Sequence, residues 1–144
     1  MPHRSEFWFF FPLRVRYAEV DQQGIVFNAH YLTYFDVGIT EYFRALGYDY
    51  TSQPARTGTD FHVVRSLVEY KAPVRFDEEI EVAVRTARLG RTSLTFGLAI
   101  FGKSEEELRA TGEIVYVNAA QATHKAVPIP SRLQALIRAR EYNQ

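Results

Sequence analysis

The stretch Ala29-His30-Tyr31-Leu32-Thr33-Tyr34-Phe35-Asp36-Val37-Gly38-Ile39-Thr40-Glu41-Tyr42-Phe43-Arg44-Ala45-Leu46 decides how this chain is built. Tyr31, Leu32, Phe35, Ile39, Tyr42, Phe43 and Leu46 recur at spacings of three and four, the period of one broad face of an α-helix. Asn28 stands just before it, where an N-cap belongs, and Gly47 just after it, where a left-handed residue ends a helix. Gly38 within it costs about 1 kcal/mol relative to alanine unless it permits a close approach. So much apolar surface on one helix calls for enclosure rather than a place on an outer face.

Around the helix the pattern is that of strands. Leu13 to Tyr17 alternates apolar and charged residues, as a half-buried strand does, with the aromatic run Phe7 to Leu13 leading into it. A loop from Ala18 to Phe27 then carries Asp21 and Gly24. Beyond the helix comes a polar stretch with Pro54 and Gly58, and after it the remainder reads as β-structure. Phe61 to Tyr70 is rich in β-branched and aromatic residues and is broken off by Pro73. Ile80, Val82 and Val84 alternate with polar neighbours, and Leu94, Phe96, Leu98 and Ile100 share a face across a turn at Gly90. Leu108 to Val117 forms one more strand, and a short helix from Ser131 to Arg140 closes the chain behind Pro128 and Pro130. The expected architecture is α+β: a single domain over residues 1–144 whose antiparallel sheet wraps a central helix. One sheet of this size leaves part of such a helix uncovered, so an oligomer is expected.

Composition narrows the functional classes. The chain has 144 residues, 47% of them hydrophobic, which suits one packed domain. Its 17 basic and 17 acidic residues cancel and no long run of one sign occurs, so no nucleic-acid or anionic-membrane surface is expected. The absence of cysteine excludes disulfides, thiolate nucleophiles and Cys-ligated metals. It also fits a reducing compartment, and a cytoplasmic location is the expectation. The run Phe7 to Leu13 falls far short of the roughly 20 apolar residues that span a bilayer. His3, His30, His62 and His124 show no metal-ligand spacing, so no metal is expected.

Asp21 is the residue around which a site can be built. A carboxylate in the loop before a long helix lies near that helix's unpaired N–H groups and its positive dipole end. Free N–H donors there can hold an oxyanion while the carboxylate acts as base or nucleophile, which is the requirement of acyl transfer. Gly24 lets the loop turn tightly and lets a ligand approach the backbone. From spacing alone, however, an Asp and a Gly in a loop are more often a turn.

The stretch Arg16-Tyr17-Ala18-Glu19-Val20-Asp21-Gln22-Gln23-Gly24-Ile25-Val26-Phe27-Asn28-Ala29-His30-Tyr31-Leu32 closely resembles the signature of hot-dog-fold thioesterases of the 4-hydroxybenzoyl-CoA thioesterase type. The likeness continues through Glu69-Tyr70-Lys71-Ala72-Pro73-Val74-Arg75-Phe76-Asp77 and Gly90-Arg91-Thr92-Ser93. It implies that Asp21 acts on a thioester, as nucleophile or as general base for water, and that the backbone N–H of Asn28 polarises the thioester carbonyl. Several relatives carry histidine where Asn28 stands, a change that keeps the backbone donor and removes any role for an imidazole.

Further residues each have a plainer alternative. Phe27, Tyr31 and Phe61 are expected to line an acyl pocket. His30 could line it too, though a structural role in the first helical turn is the commoner outcome. Arg88 and Arg91 flank Gly90 where relatives carry phosphate-binding cations, and Lys125 follows the last strand; each fits an ordinary solvated surface equally well. Asp36 and Glu41, inside the helix, need solvent or partners such as Arg44. The expectation is a small-molecule acyl-CoA or aroyl-CoA thioesterase with no separate cofactor, coenzyme A being part of the substrate. It would assemble as a homotetramer made of two hot-dog dimers. The alternatives are hydrolysis on an acyl-carrier protein and a non-catalytic acyl-CoA-binding module.

Overall fold

The computed structural model describes residues 1–142. Its main elements are β1 (Phe9–Arg14), α1 (His30–Leu46), α2 (Gln53–Thr57), β2 (Thr59–Tyr70), β3 (Glu79–Leu89), β4 (Ser93–Gly102), β5 (Leu108–Ala120) and α3 (Ser131–Glu141). The strands form one five-stranded sheet in the order β1-β3-β4-β5-β2, antiparallel at every pairing. Helix α1 lies across the concave face, giving the expected α+β hot-dog arrangement.

Periodicity explains the packing. Inward-facing Val82, Val84, Leu94, Phe96, Leu98 and Ile100 are fully or almost fully buried against Phe35, Ile39, Tyr42 and Phe43 of α1. Two glycines set how closely helix and sheet approach. A Cβ on Gly38 would lie 2.6 Å from a Val82 methyl, and one on Gly112 would overlap the Phe35 ring. Gly38 is therefore a packing residue, and its propensity cost is offset by contact.

Three local expectations need correction. The first strand is Phe9–Arg14, not Leu13–Tyr17. The aromatic run is itself the strand, because both its faces are covered. Phe9 and Leu13 pack on the main core, while Phe10 joins Phe7, Ala83, Ala99 and Phe101 in a small cluster on the outer face. Tyr17–Glu19 instead makes a 3₁₀ turn, in which Glu19 reaches back to the N–H of Arg16 at 2.8 Å. Second, the N-cap of α1 is Ala29, not Asn28, and no side chain caps it. Third, the polar stretch around Pro54 contains the short helix α2, with Pro in its first turn and left-handed Gly58 at its end. Buried Gln53 ties α2 to the sheet, accepting from the Tyr48 hydroxyl at 2.6 Å and donating to Asn118 at 2.9 Å. Gly47 ends α1 at φ 85°, as expected.

Strand β2 is an edge of the sheet and carries Val63, Val64, Leu67 and Tyr70 exposed. On the same molecule Leu32 and Val37 of α1 are also exposed. An unpaired edge rich in apolar side chains is a liability for a solitary chain.

Candidate functional site

The loop between β1 and α1 is closed by its own backbone. Asp21 N–H donates to the Ile25 carbonyl at 2.9 Å, Gly24 N–H to the Asp21 carbonyl at 3.0 Å, and Phe27 N–H to the Glu19 carbonyl at 2.9 Å. Gly24 takes φ 76°, the left-handed conformation that glycine adopts without steric cost. One carboxylate oxygen of Asp21 accepts the Gln23 N–H at 2.8 Å, so Asp21 is a turn former as well as a site candidate. The other oxygen has no partner among the described residues.

Beneath the loop sits Glu19, only 7% exposed. Burial pushes its carboxyl up, but the Arg16 N–H, the Tyr34 hydroxyl and the Arg16 guanidinium together hold it below its ordinary value. It is therefore an anion that anchors the loop to α1 through Tyr34.

A second segment, residues 70–78, forms the opposite wall. Val26 N–H donates to the Val74 carbonyl at 2.8 Å and Phe76 N–H to the Gly24 carbonyl at 3.1 Å. Buried Arg109 fixes this wall from behind. Its carbonyl accepts Lys71 N–H and Ala72 N–H, and its guanidinium donates to the Pro73 carbonyl at 3.1 Å. Glu78, Glu105 and Glu107 surround that guanidinium at 2.5, 3.0 and 3.0 Å.

Between the walls lies a cleft of ≈ 490 Å³, lined by Asp21, Ile25, Val26, Phe27, Asn28 and Tyr31 on one side and Tyr70 to Pro73 on the other. The lining is chiefly apolar, with one carboxylate and the start of a helix turned toward it. Among the described residues the N–H groups of Asn28 and Ala29 have no acceptor within the chain. Uncapped donors at a helix start, beside a carboxylate, can bind an anion that develops on a carbonyl oxygen.

The predicted residues divide between two places. Asp21, Phe27, Asn28 and Tyr31 line the cleft, and Gly24 shapes its loop. His30 is half-buried with its ring edge-on to Phe27 at 6.1 Å and is not among the residues that line the cleft. Phe61 is elsewhere: it stacks on Phe43 at 6.1 Å, toward the other end of α1. Arg88, Arg91 and Lys125 are exposed at that same far end of the sheet, where β3 turns into β4 and β5 finishes. The expectation that they share a pocket with Asp21 does not hold within one chain. Glu41 pairs with Arg44 at 2.5 Å, and Asp36 is solvent-exposed. Tyr70 was missed as a lining residue; its signal was its place just before Pro73, where a strand must leave the sheet.

Comparison with known proteins decides the family. Residues 15–137 match the thioesterase-like superfamily. This chain belongs to that family. The putative acyl-CoA thioesterase YneP of Bacillus subtilis is 32% identical over 107 residues, 74% of this chain and 77% of that protein. The acyl-CoA thioester hydrolase YbgC of Escherichia coli O157:H7 is 29% identical over 128 residues, 88% of this chain and 93% of its own length. The crystal structure of the PA5185 protein from Pseudomonas aeruginosa superimposes with a TM-score of 0.85 at 32% identity, covering 96% of this chain and 94% of that one.

Proposed function

We propose that the protein is a cytoplasmic enzyme that hydrolyses an acyl-CoA or aroyl-CoA thioester to the free acid and CoA. Asp21 attacks the thioester carbonyl to give a mixed anhydride that water then hydrolyses to the free acid, or it removes a proton from the water that attacks directly. The N–H of Asn28 holds the negative charge that develops on the carbonyl oxygen, and the thiolate of CoA leaves. The observation that carries this reading is the meeting of the Asp21 carboxylate and the unpaired Asn28 N–H in one apolar-walled cleft. The names of the YneP and YbgC relatives point to the same class of substrate.

Assembly as a homotetramer of two dimers is part of the proposal. Its support is the exposed apolar edge of β2 and the division of the candidate residues between the two ends of that strand. A second copy adding its β2 antiparallel to this one would set its Phe61 end beside the Tyr70 end here. The acyl pocket would then draw on both copies, and Arg88, Arg91 and Lys125 of one copy could meet the phosphates of a CoA whose thioester lies at the other's Asp21.

The test is to follow free thiol during incubation with a panel of aliphatic and aromatic acyl-CoAs and a matching acyl-carrier protein. The chain has no cysteine, so every reacting thiol is product. Release from CoA esters supports the reading. Release from the carrier protein alone, or no release at all, overturns it in favour of a carrier-protein hydrolase or a binding module respectively.

A further inference from the structure

The start of α1 has an unusual construction. Most helices satisfy their first N–H groups with a Ser, Thr, Asp or Asn side chain. Here the cap position is Ala29, which has nothing to offer, and the turn is otherwise held by His30 N–H to the Phe27 carbonyl at 2.9 Å and by a longer bond of 3.3 Å from Tyr31 N–H to the Asn28 carbonyl. The additional tie comes from another element. The Tyr70 hydroxyl, at the end of β2, donates to the Asn28 carbonyl at 3.2 Å.

A side-chain cap at Ala29 would accept the N–H of Tyr31 or Leu32 and would not touch the N–H groups of Asn28 and Ala29. The bond from Tyr70 to the Asn28 carbonyl fixes the Asn28–Ala29 peptide itself and leaves both of those donors free. It also polarises that amide, because a hydrogen bond at the oxygen strengthens the N–H across the peptide. Tyr70 is well placed to do this. Its ring meets buried Tyr31 edge-on at 4.9 Å and 86°, and the next two residues are pinned through their N–H groups to the Arg109 carbonyl at 2.9 and 3.1 Å.

We infer that Tyr70 is a positioning residue for thioester hydrolysis: its hydroxyl holds the Asn28–Ala29 peptide so that the free N–H of Ala29 joins that of Asn28 in facing the developing oxyanion, while its ring walls the cleft. This rests on the proposed thioesterase reading. The substitution Tyr70→Phe removes the hydroxyl and keeps the ring, so it separates the two roles.

Two measurements on the 144-residue chain test it. With the acyl-CoA that the wild type turns over best, Tyr70→Phe should lose roughly 5- to 50-fold in kcat with KM and melting temperature unchanged, whereas Tyr70→Ala should also raise KM. In ¹⁵N-labelled protein the Ala29 amide resonance should shift in Tyr70→Phe while those of buried strand residues such as Phe96 stay in place. A kcat for Tyr70→Phe within twofold of wild type overturns the inference and leaves the thioesterase reading intact, as does an unmoved Ala29 resonance. A wild type inactive on every thioester would sink the thioesterase reading itself and the catalytic part of the inference with it. In that case the Ala29 shift would still show whether Tyr70 holds the peptide.

Discussion

The Tyr34 hydroxyl donates to the Glu19 carboxylate at 2.8 Å, tying the first half of α1 to the residue two positions before Asp21. Both groups are buried, and Glu19 also receives the Arg16 N–H and guanidinium at 2.8 and 3.0 Å. Loop and helix start are thus held to one another by a charge-assisted bond, the stronger kind of hydrogen bond. Tyr34→Phe should cost about 1.5–3 kcal/mol of stability by leaving part of a buried carboxylate unmet. Denaturant titration measures this, and a loss under 0.5 kcal/mol, small beside that range, would mean that water replaces the hydroxyl.

The same carboxylate makes stability depend on pH in a defined sense. Its folded-state pKa lies below the ordinary value of 4.5, so the stability it adds is complete above that value and is lost as the pH falls through the lower folded one. Glu19→Gln should therefore be less stable than wild type at neutral pH. Its melting temperature should also fall less steeply between about pH 5 and pH 3. Parallel curves for the two proteins over that window would show that Glu19 is not an anchor in the sense described.

Gly112 and Gly97 offer a paired test of the packing. A Cβ on Gly112 would overlap the Phe35 ring, while on Gly97 it would meet the Arg85 side chain and the Ala87 methyl at 3.4 Å or more. Gly112→Ala should destabilise by roughly 1–3 kcal/mol through overpacking. Gly97→Ala should be neutral or slightly stabilising, because alanine loses less chain entropy on folding than glycine. Equal effects at the two sites would contradict the account of how closely α1 approaches the sheet.

The edge of β2 yields a prediction about assembly. Val64 is 60% exposed and sits at a register shift between Val63 and Arg65. If β2 pairs with a second copy, Val64→Glu should reduce the molar mass seen by light scattering toward that of one chain, about 16.6 kDa, with the far-UV spectrum retained. A wild-type protein already of that mass would remove the proposed tetramer.

Much of this was legible in the residues. The span of α1 and its end at Gly47 follow from spacing and glycine chemistry, and the four later strands follow from alternation bounded by Pro73, Gly90 and Gly102. The first strand was hidden because the short segment around Phe7 covers the outer face of β1, so Phe9 to Leu13 shows no alternation. The absence of a side-chain cap on α1 could not be read from Asn28, which looks like a cap in sequence but precedes one in space. The role of Tyr70 depends on a bond spanning 42 residues, which no local pattern reports. The separation of Phe61, Arg88, Arg91 and Lys125 from Asp21 is likewise a matter of which end of the sheet each occupies.

The central claim is that Asp21 carries out the chemistry, and Asp21→Asn tests it most directly. Asparagine keeps an oxygen to accept the Gln23 N–H, which Asp21 now does at 2.8 Å, so the loop should keep its shape. Steady-state hydrolysis of the best acyl-CoA substrate by wild type and variant, with melting temperatures recorded alongside, is the measurement. The account predicts a fall in kcat of roughly 10²–10⁴-fold at unchanged stability. Turnover by Asp21→Asn at the wild-type rate would contradict it and move the chemistry to another group.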